Sequence, residues 1–177
     1  MKDYSDHIGI IGGGIAGLML GCTLLKEGIP TTIFEKMPED TSHGAAISLS
    51  SNALRLLDRL GIYHDLKNQS FIHSAASIQG TQKQICEFQT PEVLTTRRQT
   101  LMSLLYSKYI NLGGEVHHDH ALENFDAVKC EATFTSQNKY IFKHLVACDG
   151  IRSSIRDTFF APNQSPKYSG YSAWRGI

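Results

Sequence analysis

Apolar and polar positions along this chain follow two different periods, and the changes between them mark the predicted elements. His7 to Ile11 is a short apolar run that predicts a buried strand, entering the glycine-rich stretch Gly12-Gly13-Gly14. From Gly14 the period becomes helical: Ile15, Leu18, Met19, Cys22 and Leu25 recur on one face, and Gly28 and Pro30 predict the stop. Thr31 to Glu35 is β-branched and aromatic, a second buried strand. Strand, helix and strand within about thirty residues form a βαβ unit, which crosses over right-handed into a parallel sheet.

Residues 36–50 read as a loop leading into a short extended piece, Ala46 to Ser50. Ser51 or Asn52 is expected to cap a helix whose stripe is Ala53, Leu56, Leu57 and Leu60, ending at Gly61. Residues 71–90 predict an antiparallel hairpin. Leu101, Leu104, Leu105 and Leu112 mark a third helix closed by Gly113-Gly114. Three β-like runs follow, Glu115–Leu122, Ala127–Ser136 and Tyr140–Cys148, with a tight turn at Gln137-Asn138. The most apolar piece, His144 to Cys148, is expected to return to the parallel sheet. The fold class is therefore α/β: a Rossmann-like parallel sheet with an antiparallel β insertion.

Composition narrows the picture further. The 177 residues suit one ordinary domain with a real core. With 17 Lys+Arg against 17 Asp+Glu, the chain is formally neutral and has no electrostatic footprint for nucleic acid. Its four cysteines, Cys22, Cys86, Cys130 and Cys148, include no Cys-x-x-Cys pair, so reduced thiols in a cytoplasmic setting are expected. The 18 uncharged residues from Ile8 to Leu25 reach the length of a membrane span. Six glycines in that run, and no positive flank before it, argue for a nucleotide-binding turn and against a membrane or targeting role.

That turn carries the candidate chemistry. Gly12-x-Gly14-x-x-Gly17 lies between a predicted strand and a predicted helix. Gly12 would permit the tight turn, Gly14 the approach of a pyrophosphate, and Gly17 close packing of helix on sheet. The first helical residues, Ile15 and Ala16, would offer free N–H groups to phosphate at the positive end of the helix dipole. Glu35, followed by Lys36, ends the second strand where an acid meets a ribose hydroxyl. A carboxylate there repels a 2′-phosphate and so disfavours NADP at this half-site. NAD and FAD share the half-site and are not separated by it.

Motifs further along resemble one family, the p-hydroxybenzoate hydroxylase-like FAD-dependent aromatic hydroxylases. Gly44–Ile62 is similar to the segment that follows the ribose-binding strand in that family. Arg98-Gln99-Thr100-Leu101 resembles its Arg-x-x-Leu at a helix start, and Ala147–Arg156 its Asp-Gly motif, matching at Asp149, Gly150, Ser153 and Arg156. Tyr168–Gly176 is similar to the strand that opens its substrate-side sheet. The resemblance implies FAD as cofactor and NAD(P)H as co-substrate, with hydroxylation of a small aromatic substrate by oxygen. It implies that Arg98 contacts the ribityl–pyrophosphate region, where a guanidinium can bind as a fork. It further implies that Asp149 organises the turn beside the pyrophosphate, that Ser153 and Arg156 brace that turn, and that Gly44 to Ser48 run along the flavin edge. The expected domain organisation is an FAD-binding part over residues 1–160, its hairpin near 71–90 belonging to the substrate side, with 161–177 opening the substrate-binding sheet.

The chain departs from the family pattern in several places. Ala46 stands where the family often has Gly, Ser51 where it often has Pro, and Cys148 where a small Ala is common. The downstream Gly-Asp motif that holds the ribityl chain has no match, so a missing C-terminal half or a companion chain is expected. The alternative functions are an inactive dinucleotide-binding fragment and an NAD-dependent oxidoreductase. His117-His118-Asp119-His120 reads as a solvated strand with two residues on each face, which leaves no metal site. Phe134, Tyr140 and Phe142 are expected to pack as core or cross-strand pairs.

Overall fold

The structure, a computed structural model, describes residues 3–39, 44–81, 83–160 and 166–172. It divides into two compact units. One comprises Met1–Ser42 and Leu105–Ala173, and the other is centred on residues 43–104.

The first unit begins with strand β1 (Tyr4–Ile11), helix α1 (Ile15–Lys26) and strand β2 (Thr31–Phe34), the expected βαβ. β1 and β2 pair in parallel, Ile8 opposite Thr31 through Ile11 opposite Phe34, and all four β2 residues are buried. Gly28 ends the helix at φ +75°. The same unit holds β6 (Glu115–His117), β7 (Leu122–Asp126), β8 (Glu131–Phe134) and β9 (Lys139–Ala147), and a short π-helical turn, Arg156–Phe160. The strand order is β6-β2-β1-β9-β8-β7. β9 serves both halves of this sheet. Its first residues pair antiparallel with β8, and His144 to Ala147 pair in parallel with Ile8 to Ile11, the expected return to the parallel sheet.

Two of the expected β runs are divided. Glu115–Leu122 contains β6 and the start of β7, separated by Asp119 in the left-handed region at φ +56°. Ala127–Ser136 is strand only from Glu131, because residues 127–130 form a turn whose Val128 and Lys129 N–H groups donate to Asp126 Oδ1. Period alone cannot register such breaks. Side-chain and left-handed backbone geometry make them. The Gln137-Asn138 turn stands as expected, with Gln137 at φ +62°.

Tyr4, Ile11, Phe34, Ala132, Phe134, Phe142 and Ile155 form the unit's main cluster. Phe34 stacks on Phe134 at 4.6 Å between centroids, and Tyr140 and Phe142 pack with them, so these aromatics are core. A second anchor is Tyr109, from the helix α4 (Arg98–Asn111). Its ring is fully buried and its hydroxyl donates to Thr31 O at 3.0 Å, while Thr31 Oγ1 lies 3.0 Å away. A Cβ on Gly21 would come within 2.6 Å of the ring. The helix stripe thus includes a glycine because an aromatic ring from elsewhere in the chain fills its place.

The second unit holds β3 (Ala46–Leu49), α2 (Ser51–Arg59), α3 (Tyr63–Lys67), β4 (Phe71–Gln79) and β5 (Gln84–Arg97). The expected hairpin is β4–β5, and β5 continues to pair with β3, giving an antiparallel sheet of order β3-β5-β4. One expectation shifts here: the N-cap position of α2 is held by Ser50, not Ser51 or Asn52, and its Oγ bonds Asn52 Oδ1 in place of a backbone N–H. Leu54 and Leu57 of α2 and Leu66 of α3 are buried with Leu49 and Leu94 of the sheet. Tyr63 Oη donates to Glu92 at 2.8 Å and Lys67 lies 3.5 Å from the same carboxylate, on the helix-covered side of β5.

Burial pushes the Tyr109 phenol up from 10.0 to about 12. A neutral form favoured by folding stabilises fully below the unfolded phenol value and loses that stabilisation as pH rises through the folded one. Chemical denaturation of wild type and Tyr109→Phe should show the variant less stable by about 1 kcal/mol near neutral pH, the size of a lost buried hydrogen bond. The difference should narrow between pH 10 and 12.

Candidate dinucleotide site

The loop after β1 is built by close backbone approach. Gly12 has φ +107°, and a Cβ there would overlap Cys148 O and lie 3.1 Å from Asp149 Cα. A Cβ on Gly17 would overlap Gly12 O, so the first turn of α1 rests directly on the loop. Gly14 is different. It is the N-cap, with ordinary extended backbone, no side-chain cap and nothing within 4 Å of where a Cβ would stand. The first N–H groups of α1, including those of half-buried Ile15 and exposed Ala16, have no intrahelical acceptor and carry the positive end of the dipole. Open space beside free donors is the cradle a pyrophosphate needs.

Glu35 lies immediately beyond β2 and is half-buried. Gly13 N–H donates to Glu35 Oε2 at 2.6 Å and Met37 N–H to Oε1 at 2.9 Å. Its backbone is held as well. Glu35 N–H donates to His117 O at 2.8 Å, and His120 N–H donates to Glu35 O at 2.9 Å. Each carboxylate oxygen accepts one of these bonds and keeps lone-pair capacity for a hydroxyl. Lys36 follows on an exposed bend.

The histidine run therefore has a structural place that the sequence reading missed. The alternation expected of a solvated strand fails at Asp119, and His117 and His120 come within 5.2 Å of each other between ring centroids. His117 stacks on Phe34, and its Nε2 lies 2.7 Å from Tyr4 Oη. Among the described residues no group of three His, Cys, Asp or Glu is arranged to hold a metal ion.

Asp149 follows β9. Its Oδ2 accepts from Ser154 N–H at 2.9 Å. Ser153 Oγ accepts from Arg156 N–H at 3.0 Å, and the Arg156 guanidinium donates to Ile151 O and Asp157 Oδ1. These bonds brace the Asp-Gly turn as expected of Ser153 and Arg156. The Cys148 thiol is pushed up by burial and then by the Asp149 carboxylate, so it stays protonated at neutral pH.

The structure thus brings Gly12, Gly14, Ile15, Ala16, Gly17, Glu35 and Asp149 together around one loop. Arg98 belongs to the second unit, where its N–H donates to Ala45 O at 3.2 Å. A Cβ on Gly44 would lie 2.7 Å from its Cδ, so Gly44 makes room for the arginine stem. The amides of Gly13 and Met37 and the carbonyl of Cys148 escaped the sequence reading, because backbone groups carry no residue-type signal.

Residues 6–174 match the family described as FAD binding domain, and the chain belongs to it. The whole chain is 30% identical to a 3-amino-4-hydroxybenzoate 2-monooxygenase of Streptomyces platensis and covers 47% of that protein. It is 29% identical over 95% of its length to an aurachin C monooxygenase/isomerase of Stigmatella aurantiaca, covering 46% of it. Among solved structures, 2-methyl-3-hydroxypyridine-5-carboxylic acid oxygenase matches with a TM-score of 0.79 and 25% identity, over 86% of this chain and 42% of that one. The chain spans about half the length of the curated relatives it matches. No helix among the described residues is long and apolar enough to cross a membrane.

Two glycines of the same motif should behave oppositely. Gly14→Ala should lower the thermal stability by less than about 1 kcal/mol, the scale of an N-cap change, yet abolish dinucleotide binding by filling the cradle. Gly17→Ala should unfold or strongly destabilise the first unit. Thermal melts with and without FAD distinguish the two.

Proposed function

We propose that this chain binds FAD at the loop after β1 and forms the flavin-binding part of a monooxygenase that hydroxylates a small aromatic substrate with NAD(P)H and oxygen. The observation that carries this reading is the open cradle at Gly14 beside a carboxylate, Glu35, already oriented by Gly13 N–H. Gly12 and Gly17 shape the loop, and the N–H groups of Gly14, Ile15 and Ala16 hold the pyrophosphate. Glu35 accepts from the adenosine ribose, with Lys36 beside it. Asp149 steadies the neighbouring turn, and Arg98 contributes a guanidinium fork to the ribityl–pyrophosphate region. Bound FAD supplies the redox chemistry, while the protein binds, orients and excludes water.

The flavin-binding part extends over residues 1–160, with the hairpin near 71–90 on the substrate side and 161–177 opening the substrate sheet. Residues 161–165 and 173–177 lie outside the described residues. The named activities of the relatives support an aromatic substrate, and the carboxylate at Glu35 disfavours NADP in this half-site. Four free cysteines support a reducing, cytoplasmic setting. Because the chain spans less than half of its relatives, turnover requires a further segment or a companion chain.

Fluorescence titration with FAD and NAD tests this reading. Wild type should bind FAD in preference to NAD, and Glu35→Ala should weaken FAD binding roughly ten- to hundredfold, the range for a lost hydrogen bond to a charged group. Equal FAD affinity in the variant would overturn the assignment.

A further inference from the structure

We infer that residues 117–120 form a histidine latch on the acid of the dinucleotide site: neutral His118 and His120 are positioning residues that hold the backbone around Glu35, and protonating them releases it and weakens FAD binding. For its ligand this rests on the flavin reading above. The turn grips the segment after β2 at both Glu35 and Met37. His117 O accepts from Glu35 N–H at 2.8 Å, and His120 N–H donates to Glu35 O at 2.9 Å. Asp119 N–H donates to Met37 O at 3.4 Å, and His118 Nδ1 lies 3.2 Å from the same oxygen. Met37 N–H in turn donates to Glu35 Oε1 at 2.9 Å. The turn therefore fixes the backbone of Glu35 and also one of the amides that hold its carboxylate.

The partners of the two rings set where their protons sit. A carbonyl oxygen only accepts, so Nδ1 is the protonated nitrogen in both. His118 Nδ1–H donates to Met37 O, and its Nε2 is buried with no hydrogen-bond partner among the described residues. His120 Nδ1–H donates to His118 O at 2.7 Å, closing the turn across Asp119 at φ +56°. Its Nε2 faces the Asn138 side-chain amide nitrogen at 3.5 Å, an N–H donor, and its ring packs against Phe34 and Phe134. A second proton thus finds no acceptor on either ring. On His118 it makes a buried, charged N–H without a partner, and on His120 it meets another N–H. Such groups are expensive to keep buried, so the ring moves and its bond to Met37 O or His118 O is lost.

The groups facing the turn separate these two histidines from the third. His117 Nε2 lies 2.7 Å from Tyr4 Oη and 3.3 Å from Glu115 Oε1, and Tyr4 Oη donates to Glu115 Oε2 at 3.1 Å, so a cation at His117 has a carboxylate beside it. Near His118, the Tyr106 ring lies at 5.9 Å and its hydroxyl donates to Glu39 at 3.2 Å, which occupies that acid with the phenol. His120 faces the His117 ring at 5.2 Å and Tyr140 at 6.4 Å, so charging both imidazoles adds repulsion. Histidine is the side chain that changes charge around pH 6.5, so mild acidification opens the latch. The pyrophosphate of FAD stays ionised throughout this range and contributes no titration of its own.

The test titrates the whole chain with FAD by calorimetry from about pH 8 down to about 5.5, the range over which histidine changes charge. NMR follows the histidine ring C–H signals and the Glu35 and Met37 amides over the same series. Affinity should be constant above the ring midpoint and fall about tenfold one pH unit below it, where about a tenth of the rings remain neutral. The Glu35 and Met37 amides should move with that midpoint, and saturating FAD should lower it by reciprocal linkage. His118→Phe, which removes the donor to Met37 O, should weaken FAD severalfold at the alkaline end. His118→Asn, which restores a donor near Nδ1 and does not titrate, should recover that affinity, and the His118→Asn, His120→Asn pair should lose the pH dependence. A wild type whose affinity ignores pH, or a paired variant that keeps the full dependence, overturns the latch. If wild type binds no FAD at any pH, the flavin reading falls, and the latch is still decided: Glu35 and Met37 amides that do not follow the histidine midpoint reject it.

Discussion

Three backbone segments meet at the end of β1 with no side chain between them: the Gly12–Gly14 loop, the first turn of α1 and the end of β9. Gly17 lies on Gly12 O, and Gly12 lies against Cys148 O, so neither tolerates a Cβ. This contact places the N-terminus of α1 directly over the end of the parallel sheet. It also leaves Gly14 facing open space, the one glycine of the motif whose lack of a side chain the fold does not use. The distinction matters because steric demand from inside the protein and steric room for a ligand give the same letter in the sequence.

The same loop orients the acid. Glu35 is held through its side chain by Gly13 and Met37 N–H groups and through its backbone by His117 and His120. Each such bond contributes on the order of 1 kcal/mol, more for those to the charged carboxylate. Together they fix a carboxylate that would otherwise be a mobile strand-end side chain. The His117–His120 turn and the aromatic cluster beneath it are thus part of the site's support, even though none of those rings touches the cradle.

Charge is arranged locally within each unit. In the first, the Glu35 carboxylate accepts from Gly13 N–H close to the uncapped, positive N-terminus of α1. In the second, the Glu92 carboxylate is engaged by the Tyr63 hydroxyl and the Lys67 ammonium. The net charge of zero conceals both, since summed charge says nothing about which side chains share a face.

Much of the framework was legible in the residues. β1, α1 and β2 follow from their periods, the hairpin and α4 from stripe and turn signals, and the return of β9 to the parallel sheet from its apolar run. The site's residue types were legible for a related reason: Gly12, Gly14, Gly17 and Glu35 are set by local geometry at a fixed spacing. What escaped depends on contacts distant in sequence. The break at Asp119 and the start of β8 at Glu131 come from turn conformations that a period average smooths over. The packing of Tyr109 against Gly21, the hold of Gly13 N–H on Glu35, and the row of Phe71, Thr95 and Ser48 join residues separated by tens of positions. Spacing along the chain thus determined where a dinucleotide-binding turn must form, because that geometry is local. Tertiary structure alone decided what orients its acid and which side chains face an open surface, because register and backbone hydrogen bonding bring together groups that carry no mutual signal in one dimension.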